Sequence, residues 1–304
     1  MRLGLLTAPF PSTPLLEVAD WSAANGFESL EIACWPIAGS EARRYAGTTH
    51  IDVANLTRAG ATEIVDQVAA RGLAISGLGY YTNPLHPDPA HREAVIGHLR
   101  QVIVAAELMG VPLVNTFMGG DAAKTQDQNW ADALQVWPDI VSFAADHGRR
   151  ITIENCPMLF STDEWPGGHN LATNPRIWRR ILEQWAATIG LNFDPSHLVL
   201  QMIDIPRFIG EFGPHILHVQ AKDLQIDRDA LYERGVFSLG IGWQIPRLPG
   251  LGDVDWGPFF SALWRAGYDG DVIIEHEDRS FEKTYELVKR GFLLARDVLR
   301  PYIK

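Results

Sequence analysis

Cysteine is nearly absent: Cys34 and Cys156 are the only two in 304 residues. Two thiols cannot build a disulfide framework, which points to a reducing, cytoplasmic setting. Long apolar runs are missing as well. The opening stretch, Met1-Arg2-Leu3-Gly4-Leu5-Leu6-Thr7-Ala8-Pro9, is too brief for a secretory leader. No window approaches the roughly 20 apolar residues that span a bilayer. Positive charge is scarce, with 26 Lys and Arg against 37 Asp and Glu, a formal net charge of −11. That balance argues against nucleic acid or anionic membrane as the main partner. It does not exclude an anionic small molecule, since one Lys or Arg in a pocket can outweigh a distant field. No Gly-x-Gly-x-x-Gly opens a helix after the first strand, which argues against a dinucleotide-binding sheet. No low-complexity segment, linker or charge block divides the chain, so residues 1–304 read as one domain.

What is present is an ordinary globular composition, 46% hydrophobic and 21% charged, patterned as alternating short apolar strands and amphipathic helices. Strands are expected at Leu3–Thr7, Ser29–Ala33, Leu73–Leu78, Leu113–Phe117, Arg150–Ile153, Ile189–Phe193, Ile216–Ala221 and Asp271–Ile274. Helices are expected over Leu15–Asn25, Leu56–Ala70, His91–Met109, Trp130–Asp146 and Thr284–Leu299, several stopped by glycine. A further helix starts at Asn174 as its cap, with Pro175 in the first position. Apolar strands buried on both faces, each followed by a helix, imply a parallel sheet. Eight such units in roughly 300 residues predict a closed (β/α)₈ barrel of the α/β class. Two connections are long: Leu159–Thr173 after the fifth strand and Leu224–Val254 after the seventh. Such loops serve as lids or subunit contacts, compatible with a homo-oligomer, dimer or tetramer.

Polar residues gather at the strand ends of the second half: Glu154, Asp194 with His197, His218 and Gln220, and Glu275. In such a barrel the active site lies at these C-terminal ends, and consecutive strands are neighbours. Three carboxylates converging in a partly dry pocket repel one another unless a cation lies between them. A mostly oxygen donor set suits Mn²⁺ first or Mg²⁺, with Co²⁺ or Zn²⁺ also compatible. Each residue has a blander alternative. Asp194 can cap the next turn with His197 bonded in the core, Glu154 can be a lone acid, Glu275 can pair with Lys222, and Gln220 can be a core amide. Together these alternatives require a separate partner for each group inside one pocket.

Four motifs carry a resemblance that covers essentially the whole chain: Ile-Glu-Asn-Cys-Pro at 153–157, Asn-Phe-Asp-Pro-Ser-His at 192–197, His-Val-Gln-Ala-Lys-Asp at 218–223 and Ile-Glu-His at 274–276. With the Gly-rich turn Pro249–Trp256, they resemble the xylose isomerase-like barrels, the sugar phosphate isomerase/epimerase group. Relatives there include ketose 3-epimerases, inosose dehydratases and dehydroshikimate dehydratases. The resemblance implies that Glu154, Asp194, Gln220 and Glu275 bind one divalent cation. At position 220 most relatives carry histidine, and glutamine here leaves the metal's identity open. It further implies that His197 contacts substrate and that Lys222 supplies a basic group near it.

The implied chemistry is proton transfer through a metal-stabilised enediolate, with Glu154 and Glu275 as the catalytic acid and base on opposite faces of the sugar. Isomerisation, epimerisation and loss of a β-substituent share this apparatus. The leading expectation is a metal-dependent isomerase or epimerase of a keto-sugar or related polyol. The alternative is a lyase, either an inosose-type dehydratase or a 3-keto-glycoside or C-glycoside deglycosidase. The chain shows no phosphate cradle, which favours a neutral sugar or cyclitol over a sugar phosphate. A phosphodiesterase or DNA-repair nuclease would want more histidines and a basic face, and a non-catalytic sugar-binding barrel would show no proton exchange. His218, Trp165 and His169 are expected to touch the substrate, with Trp243, Trp35 and Tyr80 or Tyr81 as further walls; the alternative for Trp165, His169 and Trp243 is to pack their loops onto the barrel. His50, His86 and His91 are assigned to the surface.

Overall fold

The computed structural model describes residues 1–37, 47–159, 168–236 and 242–304. In chain order the strands are β1 (Arg2–Leu6), β2 (Ser29–Ala33), β3 (Ala74–Gly79), β4 (Leu113–Thr116), β5 (Arg150–Glu154), β6 (Ile189–Phe193), β7 (Ile216–Ala221), β8 (Asp223–Ile226), β9 (Gln244–Arg247) and β10 (Asp271–Ile274). The helices are α1 (Leu15–Ala24), α2 (Arg58–Ala69), α3 (Pro89–Met109), α4 (Gln126–Asp146), α5 (Pro175–Trp185), α6 (Ser196–Leu200), α7 (Ile205–Phe212), α8 (Arg228–Arg234), α9 (Trp256–Arg265) and α10 (Tyr285–Leu299). Eight strands close a parallel barrel in the order β1-β10-β7-β6-β5-β4-β3-β2, as the alternating pattern predicts. The remaining pair, β8 and β9, forms a separate antiparallel ribbon.

Helix starts follow local chemistry. The side chain of Asn174 accepts from Ile177 N, with Pro175 opening α5. Thr125 and Gln128 form a reciprocal capping box at α4. The helices expected from the sequence do not include α6, α7, α8 or α9. The first is a five-residue turn, too short to show periodicity. The second carries a readable signal, Asp204 accepting from Arg207 N at 2.7 Å before a proline. The long connection after β7 is therefore not a plain loop: it holds β8, α8 and β9.

Two features shape the barrel interior. Between β2 and β3 the register slips, so that Leu30 pairs with Ile75 and Glu31 with Gly77, leaving Ser76 as the extra residue. On β3, a Cβ at Gly79 would lie 2.8 Å from Glu31 Oε1, so glycine makes room there for a buried carboxylate. The interior is consequently polar. His218 on β7 reaches Ser76 Oγ on β3, on the opposite side of the barrel, at 3.1 Å, and Asn192 Oδ1 on β6 at 2.8 Å. Apolar packing lies between strands and helices, where Trp137, Trp178, Phe193, Phe208, Phe259 and Phe292 are all fully buried.

Candidate metal centre and active site

Three strand ends deliver the carboxylates. Glu154 is the last residue of β5, Asp194 follows β6, and Glu275 follows β10. One oxygen from each lies within 4.8 Å of the other two. Asp194 is aimed by its neighbours: Asn155 accepts from its backbone N and donates to its carbonyl, both at 2.8 Å. Ser196 N occupies Oδ1 at 2.8 Å, which leaves Oδ2 for cations. Glu154 is fixed from the loop after β5, where Asn170 Nδ2 donates to the carbonyl oxygens of Glu154 at 3.0 Å and Cys156 at 2.6 Å.

Two cationic side chains enter this cluster. Lys222 Nζ lies 3.0 Å from Asp194 Oδ2, 2.7 Å from Glu275 Oε2 and 3.2 Å from Glu277 Oε2. His197 Nε2 lies 3.0 Å from both Glu154 Oε1 and Asp194 Oδ2. Burial alone would lower the Lys222 pKa, but Asp194, Glu275, Glu277 and Glu154 raise it well above the ordinary lysine value. Burial opposes the charge of His197 too, yet Cys156 and Asp194 among its neighbours carry its pKa well above that of a free imidazole. Burial would raise Asp194, but the Lys222 and His197 charges and two hydrogen bonds hold it down at about 2. Glu275 goes the other way: burial, then Glu154, Glu277 and Asp194, push it well above the carboxylate range despite Lys222. The pocket thus carries more negative charge than its two cations quench, the condition that favours a further cation.

Gln220 is tied on the opposite side. Its Nε2 donates to Glu31 Oε2 at 3.1 Å and to the Tyr81 hydroxyl at 2.8 Å. Tyr81 donates to Glu31 Oε1 and accepts from Asn192 Nδ2 at 2.9 Å. Burial drives Glu31 up to about 7, against hydrogen bonds from Tyr81, Asn115 and Gln220. Neither Glu31 nor the Tyr81–Asn192 link was singled out from the sequence. The available signal was an acid inside the otherwise apolar strand Ser-Leu-Glu-Ile-Ala.

Other expected contacts take varied places. His218 is fully buried, two residues before Gln220 along β7, and burial pushes it down to about 4. It holds the barrel interior together through Asn192 and Ser76. His169 gives its backbone N–H to Pro157 and Met158, and its ring lies close enough to His86 to help lower that imidazole, after burial and His91. Trp165 lies outside the described residues. Trp243, expected as a wall, is fully buried with Leu200, Leu224 and Ile226, packing the β8–β9 ribbon onto α6. His50, assigned to the surface, is half-buried: it bonds Thr7 Oγ1 at 3.0 Å and the Thr13 carbonyl at 3.1 Å. Asp223, the last residue of the His-Val-Gln-Ala-Lys-Asp motif, accepts from Leu224, Gly250 and Val254 N and from Trp256 Nε1. A Cβ at Gly252 would fall 2.3 Å from its Oδ1, which accounts for the glycine in that turn.

The donors fit a hard divalent cation. Three carboxylates converge, and Gln220 Oε1 is buried without a hydrogen-bond partner among the described residues. A second group, Glu154, Cys156 and His197, also converges within 4.8 Å and offers a softer O/S/N set sharing Glu154. No helix among the described residues is long and apolar enough to cross a membrane.

Comparison with known proteins places this geometry in context. The profile of the family described as "Xylose isomerase-like TIM barrel" matches residues 19–298. The protein YfiH of Bacillus subtilis, described as uncharacterized, is 24% identical over 303 residues, covering 91% of this chain and 93% of that protein. An inosose dehydratase of Geobacillus thermodenitrificans is 30% identical over 136 residues, 44% of each chain. Among solved structures, D-psicose 3-epimerase with D-tagatose from Clostridium cellulolyticum H10 superimposes with a TM-score of 0.67 at 16% identity, covering 100% of both chains.

Proposed function

Because the chain belongs to the xylose isomerase-like TIM barrel family, we propose that it is a divalent-metal-dependent isomerase or epimerase of a keto-sugar or related polyol. The observation that carries this reading is the convergence of Glu154, Asp194 and Glu275 around a buried Lys222 ammonium. Glu154, Asp194, Glu275 and the Gln220 amide oxygen would hold the ion, with Mn²⁺ best matched to these oxygen donors. When bound, the ion acts as a Lewis acid on a ketone oxygen and acidifies the adjacent C–H.

The chain's own groups supply the proton transfers. Glu154, hydrogen-bonded through Oε1 to His197, takes the proton from carbon. The negative charge that develops on the substrate oxygen is met by the Lys222 ammonium, which its neighbours keep protonated. Glu275, beside the Lys222 ammonium, would return a proton to carbon through the carboxyl oxygen that the ion does not hold. Return to the other face of the same carbon gives epimerisation, and return to the neighbouring carbon gives isomerisation. His197, charged and within reach of two carboxylates, orients the base and contacts a substrate hydroxyl. The Tyr81 ring, packed against Trp35 and Phe117, would give a sugar ring an aromatic surface to lie against.

A second reading, dehydration by loss of a β-hydroxyl from the same enediolate, draws support from the 30% identity with the inosose dehydratase segment. One experiment separates the two. The Mn²⁺-loaded protein is incubated in D₂O with a panel of ketoses, cyclitol ketones and 3-keto-glucosides, and the products are read by mass spectrometry. Deuterium gained with unchanged heavy-atom composition supports the isomerase or epimerase. Loss of water or of an aglycone supports the lyase, and a panel with neither exchange nor loss on any member refutes the substrate class.

A further inference from the structure

The amide of Gln220 is held in one orientation. Gln220 is fully buried, and the two hydrogens of its amide nitrogen are both used, one on Glu31 Oε2 and one on the Tyr81 hydroxyl. The hydroxyl is itself fully engaged: it donates to Glu31 Oε1 and accepts from Asn192 and Gln220. The opposite amide orientation would set Oε1 against the Glu31 carboxylate, oxygen against oxygen. An amide's oxygen and nitrogen diverge from one carbon, so pinning the nitrogen toward β2 turns the oxygen away from it. That oxygen has no hydrogen-bond partner among the described residues, although buried acceptors are ordinarily satisfied. The arrangement is built rather than incidental. The bulge at Ser76 re-aims the β2–β3 pairing beside Glu31, and Gly79 clears the space its carboxylate fills.

We propose that Glu31 and Tyr81 are positioning residues that lock the Gln220 amide so that its oxygen serves as the fourth ligand of the cation shared by Glu154, Asp194 and Glu275. The proposal rests on the metal-dependent reading above and adds to it the device that aims the glutamine oxygen. Partners that orient a ligand in this way typically change metal affinity by about 10–100-fold when removed.

The test is a set of Mn²⁺ titrations followed by loss of the free-ion electron paramagnetic resonance signal, with thermal unfolding run alongside to verify folding. Tyr81→Phe removes one hydroxyl, and Glu31→Leu removes the carboxylate while staying apolar. Each should weaken Mn²⁺ binding by about tenfold or more. Glu31→Gln, which keeps an acceptor oxygen, should recover most of the loss of Glu31→Leu. Gln220→Ala should weaken binding by a similar factor, and adding Tyr81→Phe to it should weaken binding no further. Wild-type affinity in both single variants would overturn the proposal. So would full additivity with Gln220→Ala, because the effect would then not pass through the amide. If the unaltered protein binds no Mn²⁺, the metal reading itself fails, and the positioning role falls with it.

Discussion

Replacing Lys222 with Met tests whether a metal and a side-chain ammonium share the same carboxylates. The ammonium sits 3.0 Å from Asp194 Oδ2, 2.7 Å from Glu275 Oε2 and 3.2 Å from Glu277 Oε2, with the side chain only 4% exposed. Removing one partner of a buried charge pair costs about 3–5 kcal/mol, because the other charge is left uncompensated. Unfolding entropy of about 2.1 cal/mol/K per residue gives about 0.64 kcal/mol/K for a chain of 304 residues. In chelated, metal-free protein the apparent Tm of Lys222→Met should therefore fall by about 5–8 °C. A divalent cation brings positive charge to the same oxygens. At 100 times its dissociation constant it contributes about 2.7 kcal/mol, or about 4 °C on this scale. The variant no longer holds an ammonium against Asp194 and Glu275, so it should gain more from Mn²⁺ than the wild type does. Calorimetric scans of both proteins, chelated and at one Mn²⁺ concentration that saturates both, should show the gap narrowing by about 1.4 kcal/mol, or about 2 °C, for each tenfold by which the variant binds the ion more tightly. A gap of the same size with and without metal would refute the reasoning and make Lys222 a purely structural ion-pair partner.

Glu154→Gln and Glu275→Gln should each cut turnover by about 10²–10⁴-fold with little change in circular dichroism, whichever substrate the exchange screen identifies; near-normal rates would remove their acid–base roles. Gln220→His should tighten Mn²⁺ binding in the same titration, and an affinity identical to wild type would argue that residue 220 is no ligand. Cys156→Ala should retain the metal, placing the ion among the three carboxylates; its loss would move the ion to the Glu154–Cys156–His197 group. His218 gives a pH test. Its unfolded imidazole takes up a proton below about 6.5, whereas burial holds the folded one neutral down to about 4. Its contribution to stability is therefore complete above the unfolded pKa. It is lost as pH falls through that window, by about 3 kcal/mol in total. Urea unfolding of wild type and His218→Asn at pH 7 and pH 4.5 should differ by less at the lower pH, and a constant difference would refute the buried neutral imidazole.

The barrel was legible because its signals are local. Each strand is a short apolar run closed by a turn, and each helix that was anticipated announces itself by a cap, a period or a glycine stop. Asn174 with Pro175 is the clearest case, and α5 begins where those two residues say it should. Elements without such signals were invisible. In α6 there is only a single turn, and the β8–β9 ribbon is stabilised by Trp243 packing on Leu224 and by the Asp223 clamp on the turn at 250–256. Those are contacts between residues far apart in sequence, and no local pattern reports them.

The carboxylates follow the same division. Glu154, Asp194 and Glu275 were readable because each ends an apolar run where a barrel places its chemistry, and the structure brings their oxygens together. Glu31 was not, although it is as fully buried as Asp194. A single acid in a strand ordinarily reads as a solvent-facing alternate position. Only the β2–β3 bulge and the missing Cβ at Gly79 show that it turns inward. The glutamine at residue 220 then has a physical sense. A histidine ligand needs a partner on its second nitrogen to fix the ring. A glutamine ligand needs both amide hydrogens held so that its oxygen cannot rotate away. Glu31 and Tyr81 provide those two acceptors from β2 and the end of β3. The half of the barrel that looked empty of chemistry in the sequence is the half that orients the amide oxygen on the other side.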